Sequence, residues 1–241
     1  MQHVSIRAEG QGLVQAVIHL ETEISRVEEG QMMRLIQIKA VAINPAGART
    51  EIGRLCAWQG LYRDLAARLV DAEADAGEIE DEFDEISYDA GRAVQEMFSG
   101  RGQLDPEIGA SIFRDRPASI VYVEQVFTHP AARGAGLALR MLGELRALLA
   151  GAASVALLKA VPIETPYDGP SDDFRRGGLA ADRAGRDALV RYYRSEPTLG
   201  LRPPHAACTR NLLAAIWPAM PESDLFEMRL ALPSGTWEEN L

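Results

Sequence analysis

The sequence predicts an α/β chain of the α+β kind, with a mixed, mostly antiparallel central sheet flanked by helices. Three observations carry this. Residues 12–59 hold three runs of strand composition joined by turn chemistry, which reads as an antiparallel meander. Residues 120–161 read strand, glycine-bearing turn, amphipathic helix and strand, the grammar of a parallel crossover. The chain has 241 residues and is 47% hydrophobic, enough for one domain with a substantial core and no covalent staples.

In chain order, GLVQAVIHLETEI (12–24) alternates weakly and reads as the first strand. MRLIQIKAVAI (33–43) is a clearer strand, with Leu35, Ile36, Ile38 and Val41 apolar. Asn44-Pro45-Ala46-Gly47 supplies a turn into a third strand over 50–59. Leu61, Leu65 and Leu69 recur at helical spacing, predicting a helix over 61–76, and a second helix is expected over 78–98. That second helix opens in an acidic run from Glu78 to Glu85, which suits the positive end of the helix dipole and reads first as a solvated face. Residues 99–117, with Pro106 and Pro117, read as a loop.

The β-branched run at 120–127 is the central strand, and Leu139, Leu142, Leu145 and Leu149 mark the helix after it. Gly151 is a stop signal. SVALLKAV (154–161) has the nearly continuous apolar run of a buried parallel strand. Residues 163–186 read as a long polar loop whose Arg175 and Arg176 are solvated charge, and DALVRYYR (187–194) as a short helix. The expected ending is a helix over 212–217 and a closing strand over 225–232.

The formal charge of −10 argues against a nucleic-acid scaffold and is compatible with a cationic acceptor. Cys56 and Cys208 give neither a disulfide framework nor a metal spacing, so no metal is expected. The first residues lack the apolar core of a signal peptide, and no apolar run is long enough to span a bilayer. A cytoplasmic location and no membrane partner are the expectation; a homodimer is left open.

The chemistry concentrates after the central strand. Arg133-Gly134-Ala135-Gly136-Leu137-Ala138 follows Pro130 and opens a helix. The first N–H groups of a helix have no intrahelical partner, the dipole is positive there, and glycine lets an anion approach the backbone. A dinucleotide fold would need Gly-x-Gly-x-x-Gly with a downstream acid, and a P-loop would need Gly-Lys-Ser/Thr; neither is here.

Arg133-x-x-Gly136-x-Ala138, in this setting of strand, proline and helix, resembles the acyl-CoA pyrophosphate loop of the GNAT superfamily of N-acetyltransferases. The resemblance is good over 120–161, partial over 187–201 and poor over the first hundred residues. It implies a GNAT-type acyl-CoA N-acyltransferase fold in a single domain, 1–241, whose sheet splays at the cofactor cleft. In that reading 1–118 is a divergent substrate-side half and 119–232 the acyl-CoA-binding half. The family usually places two helices between its first two strands, whereas here the helices follow the third.

The resemblance implies acetyl-CoA as acyl donor and an amine as acceptor. Acetyl-CoA would be held by the main chain of Val126, Phe127 and Thr128 and by Arg133, Gly134, Ala135, Gly136, Leu137, Ala138 and Leu139. Glu124, six residues before Pro130, stands where family members often carry an acid and is the candidate base; a strand acid facing solvent or paired with arginine is the competing reading. A helix tyrosine before Leu199-Gly200-Leu201 would protonate the leaving sulfur. Ser195 to Thr198 lengthen that join, so the role lies between Tyr192 and Tyr193, and Tyr193 is the expected one. Asp84 and Glu85 are candidates to orient a cationic acceptor, and His129 is read as a surface residue. Two other classes remain open: a non-catalytic acyl-CoA sensor, and an interaction module with an empty cradle.

Overall fold

Seven strands form one sheet in chain order: β1 (Gln2–Arg7), β2 (Leu13–Arg26), β3 (Met33–Ile43), β4 (Arg49–Leu61), β5 (Ser119–Thr128), β6 (Ser154–Lys159) and β7 (Leu212–Trp217). The computed structural model describes residues 2–7, 13–26, 33–71, 77–99, 104–134, 136–161, 183–206, 211–221 and 224. Every neighbouring pair is antiparallel except β5 and β6. Four helices lie between β4 and β5: α1 (Leu65–Val70), α2 (Gly77–Ile86), α3 (Tyr88–Ser99) and α4 (Pro106–Asp115). The helix α5 (Leu137–Leu148) joins β5 to β6, and α6 (Arg183–Arg194) precedes β7. No helix among the described residues is long and apolar enough to cross a membrane.

The chain is thus an α+β fold, a mixed and mostly antiparallel open sheet with one parallel pair, flanked by six helices among the described residues. The expected meander is present in β2–β3–β4, with β1 as an additional edge strand. One face of the sheet packs on α5 and α6 through Ile36, Leu55, Val121, Leu158, Leu142 and Tyr193, among others. The other face packs under α1–α4 through Ile120, Tyr122, Leu157, Phe83, Val94 and Ile112. Burying each such large side chain contributes about 1.5–3 kcal/mol, so the two layers clamp the strands from both sides.

Several elements differ from expectation, each for a local reason. Residues 106–115 are helical, not a loop. Asp105 caps the helix, accepting hydrogen bonds from the N–H groups of Glu107 (3.0 Å) and Ile108 (3.3 Å), and Pro106 sits at the first helical position, where its missing N–H costs nothing. LLAAIW (212–217) is strand β7, not a helix: six apolar residues fit either period, and antiparallel pairing with β6 decides the matter. The helix expected over 78–98 is two, broken at Ser87, whose Oγ accepts from the N–H of Ala90 at 3.1 Å. Leu61 ends β4, the helix expected there begins at Leu65, and α6 begins at Arg183, four residues earlier than expected. The strand expected over 225–232, residues 163–182 of the loop, and Ala135 lie outside the described residues.

Two features of the sheet position the site. Pairing between β5 and β6 runs from Ser119/Ser154 to Val123/Leu158 and stops, although β5 continues to Thr128. Beyond Val123, the β6 side of β5 has no strand partner among the described residues. At the same level β5 bulges against β4: Ala57 stands opposite Val123 and Cys56 opposite Gln125, leaving Glu124 as the extra residue.

At the opposite end a side-chain ladder crosses four strands. Arg34 Nε donates to Gln59 Oε1 (2.6 Å), Gln59 Nε2 donates to Ser119 Oγ (3.1 Å), and Ser119 Oγ meets Ser154 Oγ at 2.7 Å. Gln59, Ser119 and Ser154 are buried, so these bonds satisfy groups that water does not reach.

The α2–α3 turn is tight because of Gly91. A Cβ there would stand 2.8 Å from Asp84 Cβ and 3.0 Å from Asp84 Cα. Gly91→Ala is expected to lower the thermal midpoint. Overpacking costs about 1–3 kcal/mol, and helix propensity returns only about 1 kcal/mol of that. Calorimetry checks this; an unchanged midpoint would mean that α2 can withdraw without loss.

Candidate functional site

The turn after β5 is built by local geometry. His129 N–H bonds to Ile52 O at 2.9 Å, holding the strand end, and a 3-10 turn over Pro130–Ala132 follows. Gly134 and Gly136 have φ of 88° and 71°, the left-handed region that glycine enters at no steric cost. Gly136 is the N-cap of α5 and brings no side chain to it. Arg140 N–H makes an intrahelical bond to Gly136 O at 3.0 Å, so the N–H groups of Leu137, Ala138 and Leu139 precede the helical ladder and point out of the helix start.

Leu137 and Ala138 border a cavity of about 390 Å³, within the size range of small-molecule sites. Of the residues singled out in the sequence, Val126, Thr128, Arg133, Gly134, Gly136, Leu137 and Ala138 line it. Tyr193 lines it too, and Tyr192 stands beside it, their ring centroids 5.4 Å apart. Arg133 is exposed, with Nε donating to Thr128 O at 3.3 Å. Two expected members stand apart. Phe127 is opposite Arg54 on the other face of the sheet and does not line the cavity, because alternation sends every second side chain away. The Leu139 side chain is buried in the core beneath α5, and its backbone hydrogen-bonds the Tyr192 phenol.

Burial raises the pKa of both phenols above the ordinary tyrosine value; for Tyr193 the Tyr192 ring adds to it, and for Tyr192 the Leu139 backbone bond works against it.

Glu124 is on the opposite face. Val126 and Leu55 pair and pack toward α5, so Gln125 and its partner Cys56 face the other way. The bulge puts Glu124 on that same side, where Trp58 Nε1 donates to Glu124 Oε2 at 2.8 Å. Gln37 Nε2 approaches Cys56 Sγ at 3.9 Å, and Arg54 is held by a two-point bond to Glu51 (2.7 and 3.1 Å). Neither Trp58 nor Gln125 was singled out in the sequence, because strand register brings Trp58 to Glu124 and only the bulge turns Gln125 to the same face.

Asp84 and Glu85 are exposed on α2, and Asp84 packs across the turn against Gly91. The helix lying against β5 and β6 is α3, whose Asp89 forms an ion pair with Lys159 at the end of β6. His129 is exposed, as expected of a surface residue. Among the described residues no cluster of His, Cys, Asp and Glu could hold a metal ion.

Comparison with protein-family models, with curated proteins and with solved structures returned no match to this chain. Any function assigned to it rests on the geometry above.

Cys56 sits close enough to the bulge to pose as a nucleophile, and its environment opposes that. Burial, then the charge of Glu124, push its pKa up to about 11, so the thiol is protonated at neutral pH. The raised value belongs to the folded state, so the associated stability is complete below the ordinary thiol pKa and is lost as pH rises toward 11. In a Cys208→Ser background, iodoacetamide labelling of native Cys56 is expected to be slow at neutral pH and to climb only toward pH 11. Half-maximal labelling near the ordinary thiol value would contradict the burial argument.

Proposed function

We propose that this chain is an N-acetyltransferase of the GNAT type, moving an acetyl group from acetyl-CoA to a primary amine. One observation carries the reading: the single parallel pair of the sheet parts after Val123 and Leu158, beside a cavity headed by the free N-terminus of α5. An acyl-CoA needs both features, an anion cradle for its diphosphate and a gap in the sheet for its pantetheine arm. The two glycines with positive φ keep the cradle open to the backbone.

The reaction divides between the faces of the sheet. Glu124 takes a proton from the acceptor ammonium, and the freed nitrogen attacks the thioester carbon. Main-chain N–H groups of β5 beyond Val123, on the side without a strand partner, donate to the oxygen as it gains charge. The carbon–sulfur bond breaks, and the sulfur leaves beside Tyr193 as a thiolate that takes up the second proton shed by the nitrogen. With its pKa raised by burial, Tyr193 keeps its proton at neutral pH and serves better as a hydrogen-bond donor to sulfur than as a full acid. Arg133, exposed at the cradle's rim, adds positive charge for the phosphates. The acceptor approaches from the face of Glu124 and Trp58. Asp84 and Glu85 would act on it only at long range, as part of an acidic field.

Two variants test the cradle together. Asparagine and aspartate both tolerate the left-handed conformation of Gly136, and aspartate alone adds negative charge where phosphate would sit. Titration calorimetry is expected to show Gly136→Asp losing most acetyl-CoA affinity and Gly136→Asn losing far less; equal affinities in two folded variants would remove the phosphate assignment.

The chemistry is tested at Glu124, with amine acetylation followed by thiol release. Glu124→Gln is expected to retain acetyl-CoA binding while kcat falls by about 10²–10⁴-fold, the usual range for a general base. The loss should recover at high pH, where the amine is already neutral. A parent protein that binds acetyl-CoA and transfers to no amine would favour a sensor.

A further inference from the structure

Gln125 is the buried polar residue of the sheet that the fold leaves unexplained. It is 1% exposed, and neither its Oε1 nor its Nε2 has a hydrogen-bond partner among the described residues. Leaving a buried polar group unsatisfied costs about 1–3 kcal/mol, and a methionine of the same length would avoid that cost. Its cross-strand neighbour offers little: Cys56 has a weakly polar thiol, already approached by Gln37. The position is also a particular one. The bulge turns Glu124 and Gln125 toward the same face, so a carboxylate and a carboxamide stand on adjacent Cα atoms, about 3.8 Å apart.

We propose that Gln125 positions the acceptor, and that the acceptor is an amine with an adjacent carboxamide, as in an amino-acid amide or a peptide N-terminus. This deepens the acetyltransferase reading and rests on it for the role of Glu124. The ammonium is held at Glu124. The neighbouring amide then pairs with Gln125, its carbonyl accepting from Nε2 and its N–H donating to Oε1. Other amines fit less well. A carboxylate would set its oxygens against Oε1, a hydroxyl would satisfy one of the two atoms, and an alkylamine would satisfy neither. In a site shielded from bulk water, a missing partner discriminates more strongly than a missing methylene does.

The test uses glycinamide and ethylamine on the full chain, at a pH below both amines' pKa values, with parent and Gln125→Met. Binding is read first without acetyl-CoA, as the thermal shift each amine produces. Glycinamide is expected to raise the parent midpoint, ethylamine to raise it little or not at all, and Gln125→Met to abolish the difference. The variant itself should be as stable as the parent or more so, since an unsatisfied amide has been removed. With acetyl-CoA present, the parent should show a KM for glycinamide at least tenfold below that for ethylamine, a gap that closes in the variant. A parent that does not distinguish the two amines overturns the proposal, whether or not the variant folds. So does a Gln125→Met protein that keeps the preference, which would make Gln125 a hydrated structural amide. Titration of acetyl-CoA alone separates the two readings. If acetyl-CoA binds and glycinamide is not preferred, the Gln125 assignment falls and the acetyltransferase stands. If acetyl-CoA fails to bind and the glycinamide shift still depends on Gln125, the acyl donor falls and the amide site stands.

Discussion

The arrangement depends on one parallel strand pair in a sheet that is otherwise antiparallel. Parallel neighbours cannot be joined by a hairpin; the chain must leave the end of β5, travel back along the sheet and re-enter at the start of β6. The twelve-residue helix α5 makes that return, burying eight of its residues on the sheet. A helix forced into this path begins where β5 ends. The helix start at Leu137 and Ala138 therefore opens beside the stretch of β5 that β6 does not reach, and the cavity lies between it and α6. The open helix start is a by-product of chain return, preceded by two glycines in the left-handed region.

The bulge in β5 supplies the second half of the arrangement. Without the extra residue, strict alternation would carry Glu124 on the face of Tyr122, and Gln125 would turn toward α5. With it, Glu124 and Gln125 share one face, and Val126 and Thr128 are restored to the cavity side. A single inserted residue thus sets a carboxylate and a carboxamide on one side of the sheet while the cavity-lining side chains stay on the other.

What was legible in the sequence followed from contiguity. The turn residues Arg133 to Ala138 are neighbours in the chain, so their glycines and the helix after them could be read together, and Arg133, Gly134, Gly136, Leu137 and Ala138 line one cavity. Elements with strong period were also readable: 33–43 is a strand with the expected ends, and 137–148 a helix. Short apolar segments were not, because LLAAIW satisfies both periods and its partner strand makes the choice. The helix at 106–115 was hidden by its proline, although Asp105-Pro106-Glu107 is a sound helix start. Trp58 and Gln125 were beyond reach for another reason. Trp58 meets Glu124 through register across 66 residues of chain, Gln125 shares its face through the bulge, and neither leaves a local mark.

The ladder from Arg34 through Gln59 and Ser119 to Ser154 has a mechanical consequence. It fastens four adjacent strands at one end of the sheet, with buried hydrogen bonds whose loss would strand polar groups away from water. At the other end β5 and β6 are free of each other. The joined end forbids sliding, since a slip of one residue would turn every inward side chain outward. Past it the two strands part company sideways: β5 stays laced to β4 as far as Thr128 and β6 to β7 as far as Lys159, so each edge of the gap is braced from behind while its register is set from the far end.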